Sequence, residues 1–131
     1  MKKNKAQIGM EFIMVVSALL FFVAIFFSMI QENASKKIYE REALIVKEIA
    51  TTIQKEINLA KKSSDGYSRE FKIPLKAGNL NYEVSILQNF IMISTTNGKH
   101  ALSLPTENIN GQINITDNKI RKINGEIYLN Q

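Results

Sequence analysis

The chain has 131 residues, a formal net charge of +5, 45% hydrophobic residues and no cysteine. This length holds one small globular domain beside any long helix. The lack of cysteine removes disulfides and thiolate metal sites, so stability must come from packing. Lys2, Lys3 and Lys5 carry three of the net positive charges, and elsewhere basic residues are interleaved with glutamates. No basic stripe suited to nucleic acid follows from that pattern.

Residues 1–6 form a basic leader, and residues 12–30 form an uncharged stretch of 19 residues with no Pro or Gly and only Ser17 and Ser28 polar. At 1.5 Å per residue this stretch reaches about 28 Å, enough to cross a bilayer. It is longer than the apolar core of a secretory signal peptide, and no small-residue cleavage site follows it. The leading lysines predict a cytoplasmic N-terminus with the remaining residues outside, a bias that Lys36, Lys37 and Arg41 partly offset.

The run Lys5-Ala6-Gln7-Ile8-Gly9-Met10-Glu11-Phe12 at the head of this stretch resembles the class III signal peptide of archaeal type IV pilin-like proteins. The Gln7 start with Gly9 and Glu11 is closer to adhesion-type pilins than to archaellum subunits, although Gly9 stands where that pattern often has Ser. The resemblance implies processing at Ala6, Gln7 and Gly9, with a prepilin peptidase cutting between Ala6 and Gln7. It further implies assembly contacts through Gln7, Glu11 and Phe12, with Glu11 as the fifth mature residue.

Glu11 has its own physical problem, because a carboxylate beside hydrocarbon needs a partner. One helical turn separates it from Gln7, whose amine, once exposed, can pair with it on the same chain or on a neighbour. The plainer account places Glu11 at headgroup level beside the lysines. Cyclisation of an N-terminal Gln would remove the cationic partner.

From residue 31 to residue 62 the helix is expected to continue, now amphipathic, without Pro or Gly. Ile38, Leu44, Ile45, Ile49, Ile53, Ile57 and Ala60 recur near 3.6 residues with charged residues between them. Ile45, Ile49, Ile53 and Ile57 are assigned to helix–sheet packing, with a homomeric coiled coil as the alternative use of the stripe. Ser63-Ser64-Asp65-Gly66 predicts the helix stop.

Residues 67–131 change to a period of two and are predicted as a β-sheet head. The expected strands are 67–73, 80–86, 90–95, 100–104, 111–116 and 125–129. Asn97-Gly98 predicts a tight hairpin, and Asp117-Asn118 and Asn124-Gly125 predict turns. The fold class is therefore α+β: a long N-terminal helix packed against a C-terminal antiparallel sheet of four to six strands, as in type IV pilins. Lys99, Asn108, Asn110, Gln112 and Lys122 are expected on its outer surface. Met10, Met14, Met29 and Met92 are read as apolar packing residues.

Asn114-Ile115-Thr116 and Asn33-Ala34-Ser35 match the glycosylation tripeptide. Asn114 is the better acceptor, placed on an exposed strand position between core-facing Ile113 and Ile115. Asn33 falls close to the membrane exit. No catalytic residue, cofactor or metal ligand is assigned: His100 is the single histidine and is expected half-buried or exposed, while Asp117, Asn118 and Glu126 lack calcium-loop spacing.

Two functions are consistent with these features. One is a structural subunit of an extracellular pilus-like filament for surface adhesion, polymerising with itself through the N-terminal helix. Its implied partners are a prepilin peptidase, a membrane assembly platform with an external ATPase, the lipid bilayer before assembly, and a surface or glycan target. The alternative is a monomeric membrane-anchored accessory component, sensor or binding module.

Overall fold

The computed structural model describes residues 7–131 in full, with helical backbone from Lys2. The leader expectations, including Ala6 at the cleavage position, lie outside the described residues. The contacts divide the chain into two compact units, Met1–Tyr39 and Glu40–Gln131.

Helix α1 spans Lys2–Lys62. Its sequence supports this length because, past Gly9, no Gly or Pro occurs before Gly66. In the first unit no described residue from 7 to 39 is buried. In the second unit α1 buries Val46, Ile49, Ala50, Ile53, Ile57 and Ala60, with Ile45 half-buried at the margin. Leu44, expected in the same stripe, is 66% exposed. It stands two residues from Val46, about 200° round the helix, and so faces away.

Seven strands follow: β1 Ser68–Lys72, β2 Tyr82–Leu87, β3 Phe90–Thr95, β4 Ala101–Pro105, β5 Ile109–Gly111, β6 Asp117–Ile123 and β7 Glu126–Leu129. The α+β architecture of a long helix packed on a largely antiparallel β region is present. The single sheet expected from the strand pattern is instead two, a four-stranded sheet ordered β1-β6-β7-β5 and a three-stranded meander β2-β3-β4. β1 pairs with β6 rather than with its sequence neighbour β2. Alternation marks which face of a strand is buried but carries no information about a distant partner. The β5–β7 pair is parallel, and it requires Gly111: a Cβ there would lie 1.9 Å from the Leu129 carbonyl oxygen, at a φ of +120°.

The expected strand 111–116 does not form, and Asp117-Asn118 opens β6 instead of making a turn. The reason is Asn118, which is only 3% exposed. Its Oδ1 accepts from the Asn114 backbone N–H at 2.8 Å and its Nδ2 donates to the Asn114 carbonyl at 2.7 Å. One buried side chain thus replaces a strand ladder and folds residues 112–116 into a loop. Asn130 extends the clamp, its Nδ2 donating at 2.8 Å to both the Gln112 carbonyl and Asn118 Oδ1.

Two tight turns use left-handed residues. Gln88 and Asn89 (φ 45° and 68°) link β2 to β3, and Asn124 and Gly125 (φ 51° and 80°) link β6 to β7, the backbone of two-residue hairpins. The Asn97-Gly98 connection is longer than expected: Thr95 and His100 close it through a 2.9 Å bond, and only Gly98 is left-handed.

A single apolar cluster joins α1 to both sheets, including Phe71, Tyr82, Ile86, Ile91, Ile93, Ile120, Ile127 and Leu129. The helix end is fastened by Lys122, whose Nζ donates to the carbonyls of Lys61 (2.7 Å) and Ser63 (2.8 Å). Lys122 was expected at the outer surface. Instead its charge meets the negative end of the helix and satisfies orphan carbonyls. Ile53→Asp places a carboxylate at a position with 0% exposure. It should cost about 4 kcal/mol or more and expose the second unit to limited proteolysis. Ile53→Val should cost about 1 kcal/mol and leave it protease-resistant.

Candidate functional site

The most unusual feature of the chain is the length of α1 between Ile8 and Ile30. Phe12, Met14, Phe22 and Leu20 are 65–68% exposed, and the other large apolar residues of this stretch are 44% exposed or more, with Val16 intermediate. Its two hydroxyls are internally satisfied: Ser17 Oγ donates to the Ile13 carbonyl at 2.7 Å and Ser28 Oγ to the Ala24 carbonyl at 3.1 Å. Back-bonded serines present hydrocarbon rather than a free donor, which suits a lipid or protein-packed environment. The helix is long and apolar enough to cross a membrane. Gln7, Gly9, Glu11 and Phe12 all lie exposed on this helix. A Cβ at Gly9 would meet nothing within 4 Å, so no packing within the chain demands a glycine there.

The assigned packing residues divide by depth. Ile49, Ile53 and Ile57 are 3%, 0% and 0% exposed, while Ile45 is half-buried and lies close to Gly78. Polar ties flank this apolar face. Gln54 Nε2 donates to the Pro105 carbonyl at 2.6 Å, Glu56 forms an ion pair with Arg69 (Oε2 to Nε 3.3 Å), and Lys61 pairs with Glu107.

His100 departs from expectation. It is 6% exposed, with Nε2 lying 3.2 Å from Glu42 Oε2. Its backbone N–H donates to Thr95 Oγ1 at 3.0 Å. His100 therefore ties the β3–β4 hairpin to α1. A single histidine flanked by Lys99 and Ala101 carries no sequence signal for that role, because its partner lies 58 residues away.

Asn114 is exposed in the loop between β5 and β6, with its backbone clamped by Asn118 and not on a strand. Ile113 is buried, whereas Ile115 is 37% exposed rather than core-facing. Asn33 is exposed on α1. Asn108, Asn110, Gln112 and Lys99 are exposed as expected, and Asn110 Nδ2 donates to Glu126 at 3.0 Å. Asp117 opens β6 against Lys72, whereas Glu126 opens β7 against Ile123 at the far end of β6. That separation keeps them from forming one cation site. Glu126 also accepts from the Tyr128 hydroxyl at 2.9 Å, which pushes the phenol up from its ordinary pKa.

The outer face of the four-stranded sheet carries neutralising charge pairs, Lys72–Asp117 at 2.9 Å and Lys119–Glu70 at 3.8 Å. The hydrogen bond and charge of Lys72 hold the Asp117 carboxyl below the usual aspartate range, and Asp117 likewise raises Lys72. With Asp117 depressed, the pair's contribution is complete above the unfolded carboxyl pKa and is lost as pH falls through the folded value. With Lys72 raised, it is complete below the unfolded amine pKa and is lost as pH rises through the folded one. Both groups are exposed, so the stability gain is small. Lys72→Met should move the Asp117 titration upward, as followed by carboxyl NMR, while the fold is retained.

Comparison with protein families, with curated proteins and with solved structures finds no match.

Proposed function

We propose that this chain is a structural subunit of an extracellular type IV pilus-like filament, made as a membrane-inserted precursor. In this reading a prepilin peptidase removes residues 1–6, and the mature chain polymerises with itself through α1. The carrying observation is that residues 8–30 form helix with their apolar side chains unburied, beside a folded unit that has its own core. Each large apolar side chain left in water forgoes about 1.5–3 kcal/mol, so this segment requires lipid first and neighbouring helices afterwards.

Glu11 supplies register. A carboxylate within an apolar helix resists insertion, and the amine released at Gln7 by cleavage gives it a partner one turn away or on the adjoining subunit. The sequence has no phosphate-cradling Gly-rich loop, so an external ATPase at a membrane platform drives assembly. The exposed strands and the Asn114 loop form the filament surface that meets a substratum or glycan.

Mass spectrometry of the chain from cells that make it should find an N-terminus at Gln7, cyclised or open. A retained leader would favour the monomeric anchored protein instead. Glu11→Gln should insert normally but lower the yield of filaments sheared from the cell surface by about tenfold, and an unchanged yield would remove Glu11 from assembly.

A further inference from the structure

The three-stranded sheet has an outer face unlike that of the four-stranded one. Register sets its side chains in three rows across the strands. Leu87, Phe90 and Pro105 form the first, Ser85, Met92 and Ser103 the second, and Glu83, Ser94 and Ala101 the third. Leu87, Phe90 and Met92 are 45–55% exposed, and Met92, expected in packing, points outward here. The serines flanking Met92 leave two shallow depressions of about 410 and 500 Å³. Glu83 is the only charge in the rows, and it has no ion-pair partner among the described residues.

A complementary feature lies elsewhere on the same unit. Leu75 is 66% exposed, next to exposed Lys76, which also lacks an ion-pair partner among the described residues. This loop is firmly held. Tyr82 donates its hydroxyl to the Pro74 carbonyl, Ala77 and Leu80 exchange backbone bonds at 2.9 and 3.1 Å, and Ala77 is fully buried. A projecting leucine on an ordered loop loses little conformational entropy on docking.

We infer that Leu75 and Lys76 of one copy dock on the outer face of β2-β3-β4 of a second copy, Leu75 entering the depression beside Met92 and Lys76 pairing with Glu83. Knob and receiving face are different surfaces, so each copy offers one to each of two neighbours, as an open polymer requires. The size of the face sets how the contact is used. Three strands about 4.8 Å apart and about 20 Å long cover only a few hundred Å², well below the roughly 800 Å² per partner of a stable complex. The contact therefore does not hold two isolated copies together. It adds to a filament in which the helices already supply the effective concentration.

This inference rests on the filament reading, and the test separates the two. The chain has no native cysteine, so Leu75→Cys with Met92→Cys in the full-length protein reports the contact directly. Oxidised filaments of the double variant should yield a ladder of disulfide-linked oligomers, with no ladder from Met92→Cys alone. Filaments without a ladder would overturn the docking while leaving polymerisation intact. Absence of wild-type filaments would overturn both. As an independent check, Glu83→Lys should lower filament yield about threefold, and Lys76→Glu with Glu83→Lys should restore it. A yield unmoved by Glu83→Lys, or a face that binds arrayed glycans and loses them on Met92→Lys with filaments unaltered, would assign the surface to another occupant.

Discussion

Burial of one face of α1 between Val46 and Ala60 is the constraint on which the second unit depends. This chain has no cysteine, so the core closes without disulfides, on a helix face of small and β-branched residues: Val46, Ile49, Ala50, Ile53, Ile57 and Ala60. The two alanines allow close approach, while the isoleucines fill the space beneath the sheets. Both sheets contribute to this one cluster, so neither can be completed without the helix.

The polar groups around that face convert packing into a specific register. Gln54, Glu56, Lys61 and Glu42 each reach a different element, respectively β4, β1, the segment before β5 and the β3–β4 hairpin. Lys122 closes the last turn of α1 from β6, and Asp65 accepts from Gly125 N–H at 2.8 Å, so the helix end and the β6–β7 turn share partners. Individually such bonds contribute about 1 kcal/mol. Their distribution matters more, because a slip of the helix by one turn would break all of them together.

The same helix carries opposite requirements along its length. Between Glu40 and Lys62 one face, Val46 to Ala60, is buried by the chain itself, whereas between Ile8 and Ile30 no apolar side chain is buried among the described residues. A chain with both properties is suited to folding one part independently while leaving another to lipid and neighbours. The contrast between sheet faces follows the same logic. Charge pairs neutralise the outer face of β1-β6-β7-β5, while the outer face of β2-β3-β4 keeps apolar side chains and a carboxylate with no ion-pair partner among the described residues.

The long helix, its apolar and amphipathic parts, its stop after Lys62 and the strands near residues 68–72, 82–87, 90–95, 101–105 and 126–129 were legible in the sequence because each depends on neighbours within a few residues. Periodicity, turn residues and the lack of Pro and Gly are local quantities. The features that could not be read there depend on contacts between distant residues. Asn118 looked like a turn former because its partners, Asn114 and Asn130, are visible only once β6 is placed. Lys122 looked like a surface lysine because the carbonyls it caps lie some sixty positions earlier. His100 looked half-exposed because nothing nearby reveals Glu42. The chain by itself determined which segments form helix and strand and which face of each is apolar; tertiary structure decided that the strands divide into two sheets, that β5 runs parallel to β7, and which polar side chains turn inward, since partner choice is set by geometry that no local pattern encodes.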